Sequence, residues 1–371
     1  MSEFDLQVLL LAGRFEVRGS CAYTLRLAAG LEKERIAARI VTPDARLVDS
    51  RVRGRLQIEE VRRLGTPLWG ELAGRFLLHE ARRDPPHVIH IQSLRAHRYG
   101  SGLARRLGRP YVLTVHKHLD EGAALRIDRH DCRQIIAVSD SVRDDLLRRF
   151  ELPPELVAVI ASGVDTTAPA DVRPPLEPGR VPVVGTAGPL EAVKGLPWFL
   201  GAARQVLEVR SDVEFLVAGG GPEEANLRRV ARELEIAEKV TFVPNLLNFT
   251  ESLSATDIFV LPSLQQGLGT IMLEAMALGR PVIATGVGGI ASVIHHGETG
   301  LIVPPQSSGE LARRILELLD QPARARALGT RARQLVVERY SVETMVEKTA
   351  QVYRDVAAAV PLPEPAERRI D

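Results

Sequence analysis

The chain has 371 residues, a length that predicts about two to three domains, and its content of 45% hydrophobic and 26% charged residues supports globular cores. Its 48 basic and 47 acidic residues leave a formal net charge of +1, which argues against a nucleic-acid-binding protein because such proteins carry a clear basic excess. The two cysteines, Cys21 and Cys132, suit neither a disulfide framework nor a CxxC metal site and indicate a reducing compartment. With no recognisable signal peptide or membrane-spanning apolar run in the sequence, we expect a cytoplasmic protein, soluble or resting on a membrane face.

Apolar strands alternate with amphipathic helices along the first half of the chain, which is typical of a parallel, doubly wound α/β sheet. Ser20 and Ser139 are the predicted N-caps of two of these helices. We interpret the arginine-rich stretch at residues 44–64 as a solvated loop and helix face, with a membrane or phosphate contact as the alternative. Strands are predicted at residues 6–12, 36–42, 87–93, 110–116, 133–139 and 156–160, and helices at residues 20–35, 68–83, 95–107 and 140–150.

A proline-rich stretch at residues 166–181 marks the predicted boundary between two domains, at residues 1–170 and 181–340. The second domain repeats the alternation of strands and helices. The tail at residues 361–371 is rich in proline and charge, and we expect it to be disordered. Strands are predicted at residues 181–187, 214–219, 239–243, 257–261, 281–285 and 300–305, and helices at 197–210, up to 235, at 248–256, 270–278, 308–338 (two helices) and 341–360.

Residues 257–289 carry the strongest functional signal of the sequence. Glu274 is the only ionisable residue in a helix that is otherwise almost entirely apolar, so its carboxylate needs hydrogen-bond donors: a structural pair with an arginine or backbone N–H group, or a ligand. Gly267 and Gly269 allow backbone N–H groups to approach a ligand closely at a helix N-terminus, which favours phosphate. Glu274 lies about 7.5 Å further along the helix. At that distance its carboxylate could accept hydrogen bonds from the ribose of a nucleotide.

This stretch resembles the family 4 glycosyltransferases, retaining enzymes of the GT-B architecture whose mark is a glutamate, seven residues and a second glutamate. Glu274 occupies the second position, and Gln266 stands at the first. The segments ASGVD, VKG, GGGP and HGETGLIVPP occur in the family's order and spacing, so the resemblance covers nearly the whole chain. It implies two Rossmann-like, doubly wound parallel-sheet domains that face each other across a cleft. The first would bind the acceptor and the second the donor, with the helix at residues 341–360 crossing back to the first domain.

The resemblance also implies a reaction and the residues that serve it. The expected function is retaining, metal-independent transfer of a sugar from a nucleotide-diphosphate sugar to a glycan, lipid-linked or small-molecule acceptor. We expect no cofactor and no nucleic-acid partner, and a peripheral membrane contact is a further expectation. The implied site comprises Gly19 near the transferred group, His116 and Gln266 at the donor sugar, Lys194, Gly267, Leu268, Gly269 and Thr270 at the diphosphate, and Glu274 at the ribose.

Three positions depart from the family pattern. Pro189 replaces an arginine that would contact the diphosphate together with Lys194, Ser162 replaces an asparagine, and Gln266 supplies no negative charge. One alternative is therefore a nucleotide-sugar-binding partner subunit with weak or no transferase activity. A GT-B epimerase or phosphorylase is another.

Two other classes of site are disfavoured by the sequence. The spacing His116-x-His118 permits a zinc interpretation, but no further ligand spacing supports it. A dehydrogenase is disfavoured because the turn after the first strand, AGRFEVRGS, lacks the GxGxxG pattern.

Overall fold

The computed structural model describes residues 4–15, 19–66, 70–119, 122–169, 172–244 and 249–359. Within these residues, the first half of the chain forms a seven-stranded parallel sheet. Its strands are β1 (Leu6–Leu11), β2 (Ile36–Thr42), β3 (Gln57–Glu60), β4 (Val88–Ile91), β5 (Tyr111–Val115), β6 (Cys132–Ala137) and β7 (Val157–Val159), and its helices are α1 (Gly19–Leu31), α2 (Ser50–Arg55), α3 (Gly70–Arg83), α4 (Leu94–Leu107) and α5 (Asp140–Phe150).

The second half repeats this plan around a parallel sheet that has six strands in the described part of the chain. Its strands are β8 (Val183–Ala187), β9 (Glu214–Ala218), β10 (Val240–Val243), β11 (Ile258–Leu261), β12 (Val282–Thr285) and β13 (Leu301–Val303), and the helices are α6 (Leu196–Val209), α7 (Glu224–Glu233), α8 (Thr250–Ser254), α9 (Thr270–Ala277), α10 (Ser308–Asp320), α11 (Pro322–Arg339) and α12 (Val342–Ala358).

Both sheets reverse their strand order beside the first strand of each half. The order is β3-β2-β1-β4-β5-β6-β7 in the first sheet and β10-β9-β8-β11-β12-β13 in the second. Ligands of such sheets bind beyond the carboxyl ends of the strands near the reversal, because the loops on its two sides diverge there. The loops after β1, β5, β8 and β11 meet in one cleft between the halves. This arrangement confirms the predicted fold class of two doubly wound sheets facing across a cleft.

Helix α12 returns to the first half, as expected for a crossover helix. Tyr353 and Val346 are buried in one apolar cluster with Leu27 and Leu31 of α1. The ring of His90, on β4, lies between the hydroxyl groups of Tyr353 and Thr114. The last helix therefore completes the core of the first sheet.

Two local predictions are wrong. Residues 44–64 contain the edge strand β3 in addition to a loop and a helix; its sequence, QIEE, has too little apolar pattern to reveal a strand that pairs through its backbone with β2. Helix α1 already begins at Gly19, so Ser20 lies in its first turn and is not the N-cap.

The predicted cap Ser139 is confirmed, because its Oγ accepts a hydrogen bond from the Val142 N–H group at 3.3 Å. The predicted disordered tail lies outside the described residues. No helix in the described part of the chain is long and apolar enough to span a bilayer.

Candidate active site

The cleft between the two halves has a volume of about 1470 Å³. The first half contributes the start of α1 and the residues that follow β5. The second half contributes residues 187–194, after β8, and the glycine loop that leads from β11 into α9. Because both walls are built from loops at the carboxyl ends of parallel strands, the cleft joins the two ligand-binding edges into one site.

The glycine loop presents backbone N–H groups to the cleft. Within the described residues, the N–H groups of Gly267, Leu268 and Gly269 have no acceptor. Gly269 has φ of 85°, a left-handed value that favours glycine, and α9 starts directly after it at Thr270. The Leu268 side chain is buried, so this residue can offer a ligand only its backbone. The loop therefore combines unpaired donors with the positive end of a helix, a pairing that suits an anion.

Gly267 also has a second role, in the contact between the halves. A Cβ atom at this position would lie 2.4 Å from the carbonyl oxygen of His116, on the opposite wall. The Gly267 carbonyl accepts hydrogen bonds from the Gly289 N–H group at 2.8 Å and from the Ser139 Oγ at 3.2 Å. The glycine thus permits close backbone approach and holds the loop to both halves.

Lys194 and Gln266 lie on the same wall and contact each other. Lys194 ends a short 3-10 turn (Ala192–Lys194), and its Nζ donates a hydrogen bond to Gln266 Oε1 at 2.8 Å. The neutral amide orients the ammonium group without cancelling its charge. Pro189, beside them in the lining, adds no cation.

Glu274 is half-buried and forms an ion pair, so the expectation of a buried carboxylate is only partly met. Its Oε1 accepts a hydrogen bond from Arg26 Nη2 at 2.8 Å, and 22% of the Glu274 side chain is exposed. The structural pair with an arginine, one of the two alternatives, is present. The ion pair occupies one carboxylate oxygen, and Glu274 still lines the cleft.

His116 follows β5 on the wall opposite Gln266. Its ring contacts Tyr23 edge to face, with 4.9 Å between the ring centroids. Desolvation lowers the His116 pKa to about 4, against a smaller opposing effect of a hydrogen bond with the Gln92 backbone. Its Nε2 is buried and has no partner within the described residues. The site thus holds a neutral imidazole whose Nε2 is unpaired among the described residues.

The other predicted residues occupy less defined places. Gly19 is the first residue of α1 and adjoins Ser20, which lines the cleft. Ser162 is buried and also lines it. His118 contacts Ser141, and the described residues contain no group of three or more His, Cys, Asp or Glu side chains placed to hold a metal ion.

Sequence reasoning missed Arg26. It stands on α1, and its guanidinium reaches both Glu274 and Asp165. Its spacing of seven residues from Gly19, two helical turns, was a signal that both positions share one face of α1. The partner could not be found this way, because Glu274 lies 248 residues away in the chain.

Comparison with known proteins covers both halves of the chain. A family model described as "Glycosyltransferase Family 4" matches residues 17–168, and one described as "Glycosyl transferases group 1" matches residues 181–321. The alpha-maltose-1-phosphate synthase of Mycolicibacterium smegmatis is 31% identical over 314 residues, which cover 71% of this chain and 79% of that protein. The chain belongs to the family 4 glycosyltransferases. The alpha-D-kanosaminyltransferase of Streptomyces kanamyceticus is a further relative, 29% identical over 70% of this chain and 76% of its own length.

Solved structures show the GT-B fold of this glycosyltransferase. The Anabaena protein HepE, in complex with UDP and glucose, superposes with a TM-score of 0.81 at 19% identity, covering 94% of this chain and 100% of that one. The sucrose-phosphate synthase of Thermosynechococcus elongatus gives a TM-score of 0.79 at 22% identity, covering 96% and 100%. The described cleft is therefore the groove between the two domains of a GT-B enzyme.

Proposed function

We propose that this glycosyltransferase takes a sugar from a nucleotide-diphosphate sugar and transfers it with retention of configuration, without a metal ion. The observation that carries the proposal is the donor wall, where the Lys194 ammonium group, bonded to Gln266 at 2.8 Å, shares the cleft with the unpaired N–H groups of the glycine loop. Structural neighbours solved with UDP and with UDP-glucose support a nucleotide sugar as donor.

In the proposed complex the diphosphate lies against this wall. Lys194, the N–H groups of residues 267–269 and the Thr270 hydroxyl stabilise its charge, which grows as the bond to the sugar breaks. Glu274 accepts hydrogen bonds from the ribose hydroxyls. Gln266 and the neutral His116 orient the donor sugar, since an amide and an imidazole can each donate to or accept from a hydroxyl.

The transfer itself is proposed to proceed on one face of the sugar. The bond between the anomeric carbon and the diphosphate oxygen breaks, and the acceptor oxygen bonds to the same carbon from the same side. The acceptor proton passes to an oxygen of the leaving phosphate, so the configuration is retained without a covalent enzyme intermediate. The protein supplies orientation, electrostatic stabilisation and exclusion of water.

Part of the acceptor side of the cleft is apolar, although polar and charged side chains line the rest of it. Phe15, Leu25, Leu47, Val48 and Val52 line the apolar part. We propose that the acceptor carries an apolar portion, as a lipid-linked saccharide does, because these side chains would bury that portion away from water.

A membrane contact would bring such an acceptor to the enzyme. On α3, Leu72 and Phe76 are each 56% exposed, and Arg75 and Arg82 on the same helix are exposed as well. We propose that this surface rests on anionic lipid, with the protein in the cytoplasm. Sedimentation with vesicles containing phosphatidylglycerol should be weakened in L72S/F76S, while binding to phosphatidylcholine vesicles should be weak for both proteins.

A partner subunit without transferase activity is the second candidate, and Pro189 favours it because the donor wall has no cation at that position. Such a subunit would bind the nucleotide sugar but would neither hydrolyse nor transfer it. An epimerase or phosphorylase on the same scaffold would consume the donor without an acceptor, or with inorganic phosphate.

Thermal denaturation with UDP, GDP, ADP and their glucose conjugates, in the presence of EDTA, tests the proposed donor. Ligand at one hundred times its dissociation constant adds about 2.7 kcal/mol to the free energy of unfolding. We expect a clear shift with one base, lost in E274A and kept in the control E347Q, whose side chain is exposed on α12. Slow hydrolysis of the bound donor would separate an enzyme from a binding subunit. Absence of a shift with every nucleotide would contradict the proposal.

A further inference from the structure

Arg26 joins three parts of the molecule at one guanidinium group. Its Nε donates to Asp165 Oδ2 at 3.1 Å, its Nη1 to the Gly163 carbonyl at 3.5 Å and its Nη2 to Glu274 Oε1 at 2.8 Å. Arg26 belongs to α1 in the first half, and Glu274 belongs to α9 in the second. Residues 163 and 165 belong to the segment that leads from β7 towards the second half. The contact therefore spans the cleft and is also fixed to the connection between its walls.

The Arg26–Glu274 pair differs from the surface ion pairs of this protein. Only 19% of the Arg26 side chain and 22% of the Glu274 side chain are exposed, so solvent screens the pair less than it screens a surface pair. The planar guanidinium, held by two further acceptors, fixes the position of the carboxylate more strictly than a flexible lysine would. Glu274 is thus held in one orientation whenever the two walls are close.

Arg26 leaves Glu274 able to bind another group. A carboxylate has two oxygens with about four acceptor positions in all. Arg26 uses one of them, on Oε1. A ribose hydroxyl could donate to the remaining positions, so Arg26 and a nucleotide can share the carboxylate.

We infer that Arg26 is a positioning residue that orients Glu274 for the ribose and couples nucleotide binding to closure of the cleft. The inference rests on the proposed role of Glu274 in donor binding. Because the two side chains come from opposite walls, their bond forms only when the walls are close. A nucleotide that favours this orientation of Glu274 favours the closed state, and closure must raise nucleotide affinity by the same factor.

Calorimetric titration with UDP, and with GDP and ADP if UDP does not bind, tests the coupling in five variants. We expect R26Q to bind about tenfold more weakly than the wild type, the usual loss for one charge-assisted contact. R26K should recover part of the affinity. The double variant R26Q/E274Q should bind no more weakly than E274Q, because Arg26 acts through Glu274. R354Q is the matched control, since Arg354 pairs with Glu34 outside the cleft.

Small-angle scattering gives a readout that a merely structural role would not change. Saturating nucleotide should reduce the radius of gyration of the wild type and of R354Q, and should reduce that of R26Q less. Tighter nucleotide binding by R26Q would mean that Arg26 competes with the ribose, and unchanged binding would mean that it has no role. Either result overturns the inference alone. A wild-type protein that binds none of the nucleotides overturns the proposed function and the inference with it.

Discussion

At the scale of single residues, two side chains set the charge that faces a bound diphosphate. Pro189 stands where the sequence resemblance predicts an arginine, and Gln266 stands where it predicts a glutamate. One change removes a positive charge and the other removes a negative one, so the net charge of the pair is the same as in the family pattern. Lys194 donates a hydrogen bond to Gln266 at 2.8 Å, so the missing negative charge at position 266 acts directly on the lysine ammonium group. We interpret the two departures as mutually compensating.

This interpretation predicts that Q266E alone weakens donor binding. The new carboxylate would pair with Lys194 and reduce the positive charge available to the diphosphate, which we expect to raise the dissociation constant of UDP about tenfold. P189R in the Q266E background should restore the affinity. Q351E, at an exposed position of α12 outside the cleft, is the control. An increase in affinity or turnover with Q266E alone would show that the glutamine is a defect.

His116 leads to a prediction about pH. Its pKa of about 4 keeps the imidazole neutral above about pH 5, unlike an ordinary histidine. We expect H116Q to lower kcat about tenfold by weakening one hydrogen bond to the sugar. The ratio of wild-type to variant kcat should stay constant from pH 8 to pH 5.5. A ratio that falls near pH 6.5 would mean that the native imidazole titrates normally.

At the residue scale, the sequence did not predict contacts between residues that lie far apart in the chain. The sequence singled out Glu274 and its need for a donor, because a carboxylate in an apolar helix is unusual. It did not provide Arg26, since the two residues lie 248 positions apart in the chain and belong to different halves. The same limit applies to Gly267, whose contact with the His116 backbone has no sequence pattern.

At the scale of elements, α12 depends on a buried polar contact with β4. His90 is fully buried, with Nδ1 against the Tyr353 hydroxyl and Nε2 at 2.7 Å from Thr114 Oγ1. Desolvation lowers the His90 pKa to about 3. The native protein therefore keeps this imidazole neutral over a range in which the unfolded chain binds a proton.

The sign of the resulting pH dependence follows from that difference. Between the unfolded pKa of about 6.5 and the native value of about 3, the unfolded state binds more protons, so the free energy of unfolding falls as the pH falls. We expect His90 to account for about 2 kcal/mol of loss between pH 7 and pH 5. Urea denaturation of H90Q should show a correspondingly flatter profile. H79Q, changed at an exposed histidine of α3, should keep the wild-type profile.

The elements that the sequence predicted well are those with a strong apolar period. Strands such as β1 and β5 are buried along most of their length, and their runs of Leu and Val identify them. Strand β3 lies at the sheet edge and has only half-buried and exposed positions. Its place is set by backbone pairing with β2, which leaves little trace in the side chains.

At the scale of the whole molecule, the two halves share a continuous apolar core. One cluster contains Val138 and Val142 of the first half together with Leu273, Ile290 and Val293 of the second. Two glycines lie at this junction. A Cβ atom on Gly267 would lie 2.4 Å from the His116 carbonyl oxygen, and one on Gly289 would lie 2.8 Å from Ser139 Cβ. Both distances are shorter than van der Waals contact, so the closed arrangement depends on the absence of these side-chain atoms.

Alanine at either glycine should therefore hold the halves apart. We expect G267A and G289A each to destabilise the closed state by about 1–3 kcal/mol, the usual cost of overpacking. Small-angle scattering should show a larger radius of gyration, and UDP should bind more weakly. G102A, on the open surface of α4 where an added Cβ meets nothing within 4 Å, is the control. In one outcome, G267A binds UDP more weakly but keeps the wild-type radius of gyration, and G289A behaves like the wild type. That outcome would assign the effect to the glycine loop and not to closure. Parallel changes in both variants would tie donor binding to closure, because an added Cβ atom on Gly289 would meet Ser139 of the first half.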